Sequence, residues 1–112
     1  MSARLPSRLR HLPVATVLGY EVRVATGVRA RLLGLACLDR DEAGQGLFIP
    51  RCSSVHTFGM RFPLDLCFLD EGGAVLVVRR HVVPRRVASC RGAAAVLEIS
   101  AEQGGEFLSL CP

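Results

Sequence analysis

Fourteen residues, Cys52 to Asp65 (CSSVHTFGMRFPLD), bring together a thiol, an imidazole, a thioether, a guanidinium and a carboxylate. Cys52, His56 and Met60 follow one another at intervals of four, and their donor atoms suit Cu(I) or zinc. In a straight strand at about 3.3 Å per residue, Cys52 and His56 lie about 13 Å apart, too far to share one ion. A helix would stack them turn on turn, but Val55, Thr57, Gly59 and Pro63 disfavour one. Copper or zinc held by Cys52, His56 and Met60 therefore needs a loop or bulge at Ser53-Ser54 or at Gly59. The plainer expectation is no cofactor, with Cys52 and Met60 as buried apolar groups.

A second chemistry pairs His56 as a base with Asp65 as the carboxylate that orients it, with Cys52, Ser53, Ser54 or Thr57 as nearby nucleophiles. No Gly-bracketed nucleophile elbow accompanies them. Asp65 stands between Leu64 and Leu66 at the start of an apolar strand, where an unpaired carboxylate is costly to bury. Arg61, or backbone amides of the Phe62-Pro63 turn, are the expected partners, and both are structural.

The third chemistry is recognition. If the segment is extended, alternation turns His56, Phe58 and Met60 to one side. Phe58 and Met60 would then give apolar contact, and His56, Arg61 and Asp65 polar contact, to a peptide, a glycan, a small anionic ligand or a partner protein. This reading asks for no catalytic geometry and is the one favoured. The expected function is a small binding or accessory domain with its site around residues 52–65. The alternative is a metal-binding protein or hydrolytic enzyme centred on His56 and Asp65.

The elements that must position these residues come from a chain of 112 residues, half of them apolar, which suffices for one domain with a real core. All fourteen basic residues are arginine, so Schiff-base and phosphate-loop lysine chemistries drop out. The net charge is +4, but the densest run, Arg79 to Arg91, has no interleaved aromatics, so nucleic acid is not an expected partner. A solvated, edge-protecting face is expected there. Five cysteines, none within fourteen residues of another, make neither a CxxC motif nor a complete disulfide framework. Reduced thiols point to the cytoplasm. No apolar run approaches the roughly 20 residues of a membrane span, and the stretch from Leu12 to Gly19 is too short, with Pro13 inside it, for a secretory signal.

Residues 1–12 read as a basic, flexible arm and 13–112 as a single β-rich domain. VATVLGYEVRVAT predicts two short strands or one bent strand around Gly19. Val28, Leu32, Leu35 and Leu38 recur at helical spacing, predicting one short helix over 28–38 with Gly34 as its weak point. LFIP predicts a strand stopped by Pro50, and LDLCFLD with AVLVVRR a hairpin from Leu64 to Arg80. AVLEIS adds a strand and FLSL a last one. The expected fold is mainly β, a compact sandwich or partly open barrel of about six to eight short strands with that one helix.

Through RARLLGLACL, then HTFGMRFPLDLCFLDEGGAVLVV, Pro84 and AAAVLEISAEQGG, the chain resembles the domain of unknown function 192 family of bacterial and archaeal proteins, over about Thr26 to Phe107. The resemblance implies a compact, mainly β, sandwich-like fold with a short helix, and it implies no reaction. The sequence departs from the common family pattern at Gly59, where tryptophan often precedes the methionine, at Arg61, where lysine is usual, and in lacking the Gly-Asp that often introduces the last strand.

Overall fold

A computed structural model describes residues 7–43 and 45–101. Strands β1 (Val14–Val17) and β2 (Tyr20–Val24) form a hairpin in which Val17 pairs with Tyr20. Its two-residue loop has positive φ at both Leu18 (51°) and Gly19 (86°), as tight hairpin turns require. The chain then crosses over through a one-and-a-half-turn helix, Val28–Leu33, and a 3-10 turn, Arg40–Ala43, to β3 (Leu47–Pro50), which pairs parallel with β2.

The remaining strands are antiparallel. β4 (Ser54–His56) and β7 (Val87–Ser89) make a separate two-stranded ribbon, while β5 (Leu64–Leu69), β6 (Val75–Val82) and β8 (Ala95–Ser100) join the main sheet. The six-stranded sheet runs β1-β2-β3-β8-β5-β6 and is not closed into a barrel. The mainly β expectation therefore holds, with eight strands and one short helix as the principal elements among the described residues.

Every residue of β5 and β8 is buried, because these strands lie in the middle of the sheet and carry core on both faces. Strand alternation divides them. Leu64, Leu66, Phe68 and Val96 join one cluster with Leu35, Leu38, Leu47, Ile49, Met60 and Phe62, and Cys67, Leu69, Leu97 and Ile99 join Val22 on the other side. The expected hairpin is present, turned by Asp70, whose Oδ1 accepts the amides of Gly72 and Ala74. β6 is an edge strand with two register shifts and exposed Arg79 and Arg80, features that blunt an edge.

The helix is shorter than the spacing predicts. Gly34 takes φ 53° and ends it, so the stripe divides: Leu35 and Leu38 are buried in the core, whereas Val28 is 74% and Leu32 64% exposed. At the other end, Ser7–Arg10 forms a single helical turn, Leu9 is buried, and the Arg23 guanidinium holds the carbonyls of Arg10 and Leu12. The strand predicted at FLSL lies outside the described residues. Among the described residues, no helix is long and apolar enough to cross a membrane.

Candidate functional site

The corner between β4 and β5 is built on Thr57. Its hydroxyl donates to Val83 O at 2.7 Å and accepts from Arg86 N at 2.8 Å, and its own amide donates to Arg86 O at 2.8 Å. Its carbonyl accepts from Arg85 N and from Met60 N. The last bond closes a tight turn, Thr57 to Met60, with Gly59 at φ 82°, the third turn position where a positive φ calls for glycine. A side chain at Gly59 would also press on Ala36 Cβ at 3.3 Å. Phe58 is thereby held at the tip of the turn, 52% exposed.

His56 closes the corner. Phe58 N–H donates to Nδ1 at 3.2 Å, and since an amide can only donate, Nδ1 is the acceptor and the ring proton resides on Nε2. Nε2 then donates to Leu32 O at 3.0 Å, satisfying a carbonyl in the last turn of the helix that has no partner within it. Imidazole and Phe58 ring lie tilted at 45° with centroids 5.9 Å apart. His56 also faces Val87 across the β4–β7 ladder. Helix, ribbon and turn thus meet at one side chain, whose partners Leu32, Phe58 and Val87 (66% exposed) are all exposed apolar residues.

The sequence-predicted residues separate. His56, Phe58 and Arg61 are exposed, Met60 and Asp65 are buried, and Cys52 is half-buried with its thiol donating to Ser54 O at 3.2 Å. His56, Phe58 and Met60 do not share one face because the strand stops at His56 and the turn sends Met60 inward. Arg61 pairs with Asp39 at 3.0 Å, both exposed, and not with Asp65. Asp65 instead accepts from His81 N at 2.8 Å at a register shift between β5 and β6. Burial pushes its carboxyl above the usual range, opposed by the His81 amide and the nearby Arg80 charge. Cys52 lies before β4 and His56 ends it, and no three His, Cys, Asp or Glu among the described residues are grouped to hold an ion.

Sequence reasoning missed Thr57, Leu32 and Val87 as parts of the corner, and it missed Glu98. That carboxyl is sealed in the core under Gly34, where an added Cβ would lie 3.0 Å from Oε1, and Oε1 has no hydrogen-bond partner among the described residues. Desolvation pushes its pKa up to about 8. Elsewhere, an open depression of about 870 Å³ is lined by Arg51, Cys52, Ser53, Glu71 and Gly92 among others, and of the predicted site residues it includes Cys52 and Ser53 but not His56, Phe58, Met60, Arg61 or Asp65.

Comparison with known proteins meets the same architecture. The model of the family DUF192, described as "Uncharacterized ACR, COG1430", matches residues 13–107. The chain belongs to this family. Two solved structures share the DUF192 chain's fold. One, a "putative transcription regulator" from Sinorhizobium meliloti, is 21% identical with a TM-score of 0.68, over 84% of this chain and 81% of that one. The other, a protein of unknown function from Novosphingobium aromaticivorans, is 20% identical with a TM-score of 0.64, over 84% of this chain and 74% of that one. No curated protein matches the chain. At this identity the likeness speaks for the fold alone, and DUF192 membership brings no established activity with it.

Proposed function

We propose that this DUF192 domain is a binding module whose recognition face is the corner formed by His56, Phe58, Leu32 and Val87. The observation that carries the reading is an aromatic side chain held half in solvent on a turn fixed by five hydrogen bonds to Thr57, with both nitrogens of the adjacent imidazole already engaged. An apolar group so ordered offers contact area at little entropic cost on binding, which is how anchoring residues act. His56 serves this face as a brace. A proton-transfer or metal role would require it to give up the Phe58 or Leu32 contact, and Asp65 faces the His81 amide instead of the imidazole. The occupant is a peptide or protein partner, and the four free thiols among the described residues fit work in the cytoplasm.

Site-specific photo-cross-linking in the host cell tests this. A photoreactive phenylalanine analogue at Phe58 is expected to give discrete adducts that disappear on Val87→Ser, while the same analogue at exposed Leu76 on β6 gives none. Adducts from Leu76 or from Glu71 in the open depression, with none from Phe58, would move the binding face elsewhere.

A further inference from the structure

The corner carries a charge pattern as well as an apolar one. The segments that build it, 28–32, 56–61 and 85–87, hold five arginines and not one carboxylate. Arg29 flanks Val28, and Arg85 and Arg86 precede Val87; all three are exposed. Two of the five are otherwise engaged: Arg31 donates to the carbonyls of Pro50 and Arg51, and Arg61 pairs with Asp39. Arg86 donates only to the neighbouring Arg85 O, and neither Arg29 nor Arg85 has a side-chain hydrogen bond or ion pair among the described residues. The exposed apolar residues Leu32, Phe58 and Val87, with Val28 one helical turn from Leu32, therefore share their segments with three arginines, Arg29, Arg85 and Arg86, that no acid among the described residues pairs with.

Resting on the reading of the corner as a binding face, we infer that its partner is an acidic protein segment, one that places aliphatic or aromatic side chains against Leu32, Phe58 and Val87 while its carboxylates meet Arg29, Arg85 and Arg86. Guanidinium groups accept carboxylates in a two-pronged geometry, and a cationic rim around an apolar centre steers an acidic partner and fixes its register. Two other anionic partners suit the corner less well. Single-stranded nucleic acid asks for several stacking aromatics, and Phe58 is the one aromatic ring besides His56 exposed here. An anionic bilayer is favoured by tryptophan and tyrosine at the interface; the chain has no tryptophan, and its one tyrosine, Tyr20, packs against the opposite core cluster.

The test is titration of the isotope-labelled domain, followed by amide chemical shifts, with three synthetic peptides sharing a Leu-x-x-Phe pair flanked by glutamate, glutamine or lysine. The glutamate peptide is expected to shift residues 28–32, 56–61 and 85–87. It should bind about tenfold or more weakly to Phe58→Ala and to the Arg85→Ser/Arg86→Ser double variant, and to lose affinity as salt rises. Leu32→Gln and Val87→Thr, at exposed positions, repeat the apolar arm if Phe58→Ala perturbs the fold. Equal binding of the glutamine or lysine peptide at the same residues overturns the acidic partner and leaves the face standing. Binding confined to a DNA oligonucleotide or to phosphatidylserine vesicles overturns the protein class. Shifts confined to residues 50–53, 70–72 and 92–94 overturn the face itself.

Discussion

Thr57 shows how one small side chain sets the position of its neighbours. It is 1% exposed, and its hydroxyl both donates and accepts, so Thr57→Val keeps the shape and strands Val83 O and Arg86 N without their partner. Both bonds are part-buried, and the net loss of such a hydrogen bond costs about 0.5–1.5 kcal/mol. Urea denaturation should show a loss in that range for Thr57→Val and a smaller one for Thr57→Ser; an unchanged midpoint for Thr57→Val would deny the hub role. Glu98 gives a prediction of another kind. Its folded pKa is about 8 against 4.5 for an ordinary glutamate, so between these values the unfolded chain has released a proton that the folded chain keeps. Stability from this group is then greatest below pH 4.5 and falls as pH rises towards about 8. Glu98→Gln should flatten that slope and be more stable than wild type at pH 8, measured by denaturation across the range; a wild-type slope retained in the variant would assign the linkage elsewhere. Nothing in AVLEIS distinguishes this glutamate from a solvent-facing one, because strand alternation cannot reveal that β8 is covered on both faces.

Among the elements, the strands of four residues or more were legible and the two three-residue strands were not. LDLCFLD and AVLVVRR read as a hairpin because their composition and the Gly-rich turn agree, and the structure pairs them as β5 and β6. β4 and β7 are three residues each and exist through bonds to distant segments, such as Cys90 N to Ser53 O and Thr57 N to Arg86 O, which no local pattern encodes. The helical stripe was visible but misassigned: Gly34 ends the helix, and Val28 and Leu32 go to the surface. The same dependence on backbone geometry yields a prediction at the turn. With φ 82° and Ala36 Cβ at 3.3 Å, Gly59→Ala should cost about 1–2 kcal/mol and shift the Phe58 and His56 resonances together. A stable variant with both signals unmoved would separate the turn from the corner.

For the molecule as a whole, the sheet order ranks the strands. β8 and β5 lie inside the sheet, wholly buried, whereas β1 and β6 are its edges and the β4–β7 ribbon stands apart. Amide hydrogen exchange should be slowest in β5 and β8 and faster in β1, β6 and the ribbon. The face proposed for binding, on the ribbon side, is thus attached to a firm platform through Thr57 and Val55. The arginines of 28–32, 56–61 and 85–87 lie in the segments that build the proposed face.

The claim that the corner recognises and does not react rests on His56, and its ring nitrogens can be read directly. Long-range nitrogen–proton correlation spectra of the labelled protein, at a pH where the imidazole is neutral, should show the Nε2–H form, unchanged when zinc or Cu(I) is added. An Nδ1–H pattern, or a metal-dependent shift of either nitrogen, would contradict the brace and return the segment from Cys52 to Asp65 to chemistry.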